Sequence, residues 1–135
     1  MISNVIKFIH ENKIHSISNL DPNETVLYYV RLKLKKTGTK EGCAEGGCGA
    51  CTIVLGELIN NKIIYKAINS CITFVPSLEG KQLILVEDLV SKNGTLHTVQ
   101  DAMINYHGSQ CGYCTPGFVM SVSYTHLTLP TSDLE

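Results

Sequence analysis

Three cysteines crowd the run CAEGGCGAC, at Cys43, Cys48 and Cys51, with glycine and alanine filling most of the gaps. Cys71 follows beyond a strand-like segment, and Cys111 and Cys114 form a separate C-x2-C pair. Thiols at this density serve a disulfide framework or a metal. The N-terminal MISNVIKFIHENKIHS has no unbroken apolar stretch after a basic start, so no secretory leader is read and the chain is expected to be cytoplasmic. A reducing compartment turns the choice toward metal ligation. The spacing selects the metal, because C-x4-C-x2-C with a later fourth cysteine is the plant-type [2Fe–2S] ligand pattern. Sulfides in such a cluster accept N–H groups, so the loop must wrap closely with its amides turned inward. Gly42, Gly46, Gly47 and Gly49 permit that wrapping at little steric cost. A split zinc site from Cys48, Cys51, Cys111 and Cys114 is the competing assignment, and it leaves Cys43 and Cys71 idle. Plain burial of small residues does not explain why so many share one loop.

The loop needs a frame, and the flanking sequence supplies an α+β one. Val5 to Ile9 and Ile14 to Ile17 read as a hairpin around Glu11-Asn12-Lys13. Asp21 then reads as a helix cap with Pro22 just inside the helix, and Val26, Leu27, Val30 and Leu34 fall near helical spacing. Beyond the cysteines, Thr52 to Leu55 and Lys62 to Ile68 read as strands joined at Asn60-Asn61, with a further strand near Leu83 to Val86. Strands, one helix and a ligand loop make a β-grasp-like domain over residues 1–87. After Asp88 the pattern becomes helical: Leu96, Val99, Met103 and Tyr106 repeat at helical spacing up to Gly108. A second helix is expected where Thr115 caps and Pro116 sits in the first turn. QCGYC, Gln110 to Cys114, lies at the junction of these helices, and two thiols alone are half a metal site.

Composition removes other classes. A chain of 135 residues, 44% hydrophobic and 17% charged, has room for one domain or two small ones. Eleven basic and twelve acidic residues give a net charge of -1, so no global field draws it to nucleic acid or an anionic membrane. No window approaches the ~20 apolar residues of a membrane span.

The segments GTKEGCAEGGCGACT (Gly38 to Thr52), INSC (Ile68 to Cys71) and GSQCGYCTPGFVMS (Gly108 to Ser121) closely resemble the iron–sulfur region of xanthine dehydrogenase and its molybdenum-hydroxylase relatives. The resemblance spans nearly everything before Ser121. It implies a plant-type ferredoxin-like domain followed by an all-α domain with a second [2Fe–2S] cluster, here truncated to residues 88–121. It implies Cys43, Cys48, Cys51 and Cys71 as ligands of the cluster nearer a flavin. Cys111 and Cys114 become half the ligands of a cluster nearer molybdopterin, and Gln110 the residue touching the pterin. Electrons from substrate hydroxylation at molybdenum would cross both clusters to FAD and then NAD, with the flavin and molybdenum domains or subunits as partners. This segment conducts and does not carry out the bond chemistry.

One departure stands out. The family completes its second cluster with a C-x-C pair further on, and no cysteine follows Cys114. Val122 to Thr131, VSYTHLTLPT, looks like the in-frame translation of a transposase sequencing adapter, so residues 122–135 are expected to be a non-native tail. Only the first cluster is then expected to assemble, and its loss is expected to loosen the first domain.

Other polar residues have plain readings. The basic run Arg31, Lys33, Lys35, Lys36 and Lys40 reads as a solvated face. Glu41 and Glu45 read as surface, His97 and His107 as helix-surface or capping residues, and Met103, Tyr28, Tyr29 and Tyr106 as core or boundary packing. The glycine-rich loop lacks phosphate-binding spacing, so no nucleotide site is expected.

Overall fold

The computed structural model describes residues 5–19, 21–91 and 93–128. Strands β1 (Ile6–His10) and β2 (Lys13–Ile17) form the expected hairpin. Its two turn residues, Glu11 and Asn12, have φ of 55° and 62°. Two left-handed residues give the turn whose twist matches paired strands, and Asn60 and Asn61, with φ of 51° and 65°, do the same between β3 (Thr52–Ile59) and β4 (Lys62–Asn69). A short β5 (Gln82–Ile84) completes a five-stranded sheet in the order β2-β1-β5-β3-β4. β5 is antiparallel to β3 and parallel to β1, with Ile9 opposite Gln82.

Alternation decides which face is covered. In β1, Ile6, Phe8 and His10 point inward while Lys7 and Ile9 point out. Against that face lies α1 (Val26–Tyr28), which runs directly into a π-helical turn over Tyr29–Lys33. Val26, Tyr29 and Val30 pack with Phe8, Ile53, Leu83 and Leu85 in one core, and the Phe8 and Tyr29 rings meet edge to face at 6.0 Å. Phe8 is 1% exposed. Its replacement by alanine is expected to cost about 3–5 kcal/mol, read as a shift in the urea midpoint at unchanged slope.

Three expectations shift. The helix is capped by Thr25, whose Oγ1 accepts from Tyr28 N at 3.2 Å. Asp21 closes a turn instead: its side chain accepts from Asn23 N at 2.9 Å and its carbonyl from Glu24 N at 3.0 Å. Asp-Pro opens β-turns as readily as helices, and only the apolar positions downstream separate the two. The last strand ends at Ile84, and a 3-10 turn over Val86–Leu89 takes its place. Tyr28 and Tyr106 are 53% and 83% exposed, so neither is core. Tyr106 is the C-cap of α2 (Thr98–Asn105), where the helical period no longer governs its direction, and a phenol tolerates water.

His97 caps α2 as expected, its Nδ1 accepting from Val99 N at 3.1 Å. Helix α3 (Thr115–Thr128) takes Thr115 as its first residue, with Pro116 next, one position from the expected cap. It packs on β3, β4 and α2, with Val119 and Met120 buried. The helix continues through Thr128, so part of the segment set aside as a tail follows the same helical path, with Ser123 buried. Residues 129–135 lie outside the described residues. Among the described residues, no helix is long and apolar enough to cross a membrane.

Candidate metal centre

The loop before β3 is tied at its base. Arg31 Nη1 donates to the carbonyls of Thr37 and Thr39 at 2.9 and 2.8 Å, Glu87 Oε2 accepts from Gly38 N at 2.8 Å, and Lys40 N donates to Ala50 O at 3.2 Å. Lys33 pairs with Glu24 at 2.8 Å, Lys36 with Glu11 at 3.2 Å, and Lys40 Nζ donates to Thr37 O at 2.7 Å. Four of the five basic residues thus have partners within the chain, while Lys33 and Lys35 stay exposed on a solvated face.

Between these ties the backbone turns in on the sulfurs. Glu45, Gly47 and Cys48 donate their amides to Cys43 Sγ at 3.4, 3.2 and 3.3 Å, while Cys43 and Ala50 donate to Cys48 Sγ at 3.3 and 3.4 Å. That curvature needs left-handed backbone at Ala44, Gly46 and Gly49, with φ of 58°, 82° and 79°. A Cβ on Gly42 would stand 2.6 Å from Cys48 Sγ, so a hydrogen is all that fits. The far wall is fixed by Asn69 Nδ2 donating to Gly46 O at 3.1 Å and Ser70 Oγ donating to Cys51 O at 2.7 Å.

The thiols fall into two pairs. Cys43 adjoins Cys48 on the open side, and Cys51 adjoins Cys71 beneath Leu27, both of these buried. The amides of Glu45, Cys48 and Gly47 pull the Cys43 thiol down to about 7, because N–H donors favour the thiolate. Burial, then the neighbouring Cys51 thiol, pushes Cys71 up to about 11. A metal held by Cys71 would therefore displace the proton of its thiol. Two pairs and a fringe of inward amides fit the two irons and bridging sulfides of a [2Fe–2S] cluster. A four-cysteine zinc site needs sulfurs about 3.8 Å apart at its tetrahedral corners. Among the described residues, no three cysteine sulfurs lie within 4.8 Å of one another.

Cys111 and Cys114 stay apart from this set, exposed in the bend between α2 and α3 beside an exposed Gln110. Two contacts that spacing does not reveal hold their loop to the first one. The Tyr113 hydroxyl donates to the Glu41 carbonyl, and Gly117 brings α3 so close that a Cβ there would stand 2.0 Å from Gly49 O. The signal for the second was a glycine placed one residue after a helix-opening proline.

Residues 9–76 match the 2Fe-2S iron-sulfur cluster binding domain family, and residues 85–133 match a [2Fe-2S] binding domain. The chain is 47% identical over 122 residues to the xanthine dehydrogenase of Blastobotrys adeninivorans, a match covering 89% of this chain and 9% of that protein. It therefore spans about a tenth of the length of the curated relatives it matches. The aldehyde oxidoreductase structure from Desulfovibrio desulfuricans superposes with a TM-score of 0.75 at 28% identity, over 90% of this chain and 12% of that one. Quinoline 2-oxidoreductase from Pseudomonas putida gives 0.67 at 29% identity, over 87% of this chain and 68% of the matched one. With four paired cysteines framed by a ferredoxin-like sheet, the chain belongs to the 2Fe-2S iron–sulfur cluster binding domain family and is homologous to the N-terminal region of xanthine dehydrogenase.

Proposed function

We propose that the chain is the electron-relay segment of a xanthine dehydrogenase-type molybdenum hydroxylase, with Cys43, Cys48, Cys51 and Cys71 as ligands of its first cluster. When bound, a [2Fe–2S] cluster supplies one-electron transfer. The chain's own groups set the conditions for it. The amides of Glu45, Gly47 and Cys48 offset negative charge at the Cys43 sulfur, Leu27 keeps water from Cys51 and Cys71, and the exposed Cys48 side faces a partner. Cys111 and Cys114 are half the ligands of a second cluster, and Gln110 is the residue that meets the pterin. The domains run over residues 1–87 and 88–121, and residues 122–135 are the non-native tail. Electrons arrive from a molybdenum domain and leave to a flavin domain that reduces NAD, on the same chain or on partner subunits, in the cytoplasm.

The observation that carries this reading is the joining of the two cysteine loops through Tyr113 and Gly117. A free-standing one-cluster carrier is the second reading, favoured by the presence of one full set of four cysteines and only two of another. Anaerobic reduction of the purified chain should give about two irons and a single half-integer-spin paramagnetic resonance signal. A zinc-loaded protein without that signal would sink both readings. Sequencing the source locus through the Ser121 codon without a transposase step separates them. The relay predicts that the frame runs on into a C-x-C pair and a flavin-binding domain.

A further inference from the structure

A second cluster of ligating groups lies outside the cysteines. His10 occupies an inward position of β1 where the alternation of Ile6 and Phe8 asks for an apolar residue, and it is 2% exposed. An imidazole buried this deeply must have partners. Its Nε2 lies 3.0 Å from Asp88 Oδ2, 3.2 Å from Oδ1 and 3.7 Å from Glu11 Oε1. One ligand atom from each of the three residues falls within 4.8 Å of the others. Glu11 comes from the β1–β2 turn and Asp88 from the 3-10 turn after β5, brought together by the parallel pairing of β1 with β5. Asp88 is further oriented by Leu85 N, which donates to Oδ2 at 2.8 Å.

Two further observations point to a ligand. Glu11 and Asp88 open onto a cleft of about 520 Å³ that Glu87 and Lys36 also line. Glu87 uses one oxygen for Gly38 N, while its Oε1 is buried with no hydrogen-bond partner among the described residues. Three carboxylates face one ammonium, that of Lys36, which sits 3.2 Å from Glu11 Oε1. His10 apart, the carboxylates of this wall carry two negative charges more than its one lysine offsets. A divalent ion cancels them, and one imidazole nitrogen with two carboxylate oxygens suits a first-row transition ion more than calcium or magnesium.

We propose that His10 Nε2, Asp88 and Glu11 Oε1 form a site for a divalent transition ion, with its remaining positions open to the cleft and Lys36 as the cation it displaces. The ion pins the first hairpin to the segment leading into α2. Its binding does not depend on the cysteines.

Manganese is the probe, because it prefers oxygen and nitrogen to thiolate and so leaves the cysteines alone. The oxidised chain, as purified, is titrated with Mn(II) while the resonance of the free ion is followed. One ion per chain is expected. Glu11→Gln, in an exposed turn, should weaken it at least tenfold, His10→Gln similarly, and Lys36→Met should tighten it several-fold. A simple ion-pair role for these residues would not make loss of Lys36 strengthen anything. No uptake at millimolar manganese, or uptake indifferent to both Glu11→Gln and Lys36→Met, overturns the site.

Discussion

Cys71→Ser is expected to give a chain with little or no bound iron and no visible charge-transfer absorption, while Cys114→Ser keeps both. Cys71 belongs to the buried pair beneath Leu27, so a serine there replaces a thiolate with a far weaker ligand in a place that water does not reach. Three cysteines cannot complete four positions, and Cys111 and Cys114 are held in a separate bend. The loss should reach the fold as well. Without iron, the amides of Glu45, Gly47 and Ala50 donate to cysteine sulfurs that no metal holds in place, and three left-handed residues lose what fixes them in that curve. Limited proteolysis should then cut the loop between Lys40 and Cys51 in Cys71→Ser and spare it in Cys114→Ser. Iron retained by Cys71→Ser and lost from Cys114→Ser would reverse the assignment of the two thiol sets.

Gly117→Ala is expected to destabilise the chain by more than the ~1–3 kcal/mol of ordinary overpacking. The added carbon would lie 2.0 Å from Gly49 O, 3.0 Å from Gly49 C and 3.1 Å from Ala50 Cα, all backbone. No rotamer relieves a clash with a main chain, so either α3 lifts from the cluster loop or the loop moves under it. Gly80→Ala is the contrast: its φ is +72° but nothing stands within 4 Å of the new carbon. It should cost only ~1–2 kcal/mol of left-handed strain. Urea midpoints of the two variants separate the effects, and equal losses would mean that the Gly49–Gly117 approach is not maintained in solution.

The parts legible in the sequence are those whose cause is local. Both hairpins followed from polar turns set between β-rich runs, and the gathering of Cys43, Cys48, Cys51 and Cys71 around one loop is what their spacing leads one to expect. Asp21-Pro22 misled because the same dipeptide serves a turn and a helix start, and Thr25 stood four residues on, directly before the apolar face it caps. Tyr28 and Tyr106 misled because helical spacing tells which residues share a face but not whether anything covers it. The links between the two cysteine loops, Tyr113 to Glu41 and Gly117 to Gly49, join residues far apart in the chain. Neither pairing leaves a periodic trace. His10 was hidden differently, since a polar residue in an alternating strand reads as the end of a pattern and not as its innermost point.

The placement of β5 between β1 and β3 governs the order in which the molecule can be made. The bond from Lys7 N to Glu79 spans 72 residues, and β1 has no neighbour on its inner edge until β5 arrives. The β3–β4 hairpin and all four first-set cysteines leave the ribosome before β5 does. During synthesis the first hairpin therefore waits as a marginal two-stranded ribbon while the ligand loop is already complete. Long-range closure of this kind is slow. Iron delivered during that interval would meet four thiols on an open sheet, and the last strand would then close the core over a loop already fixed around its metal.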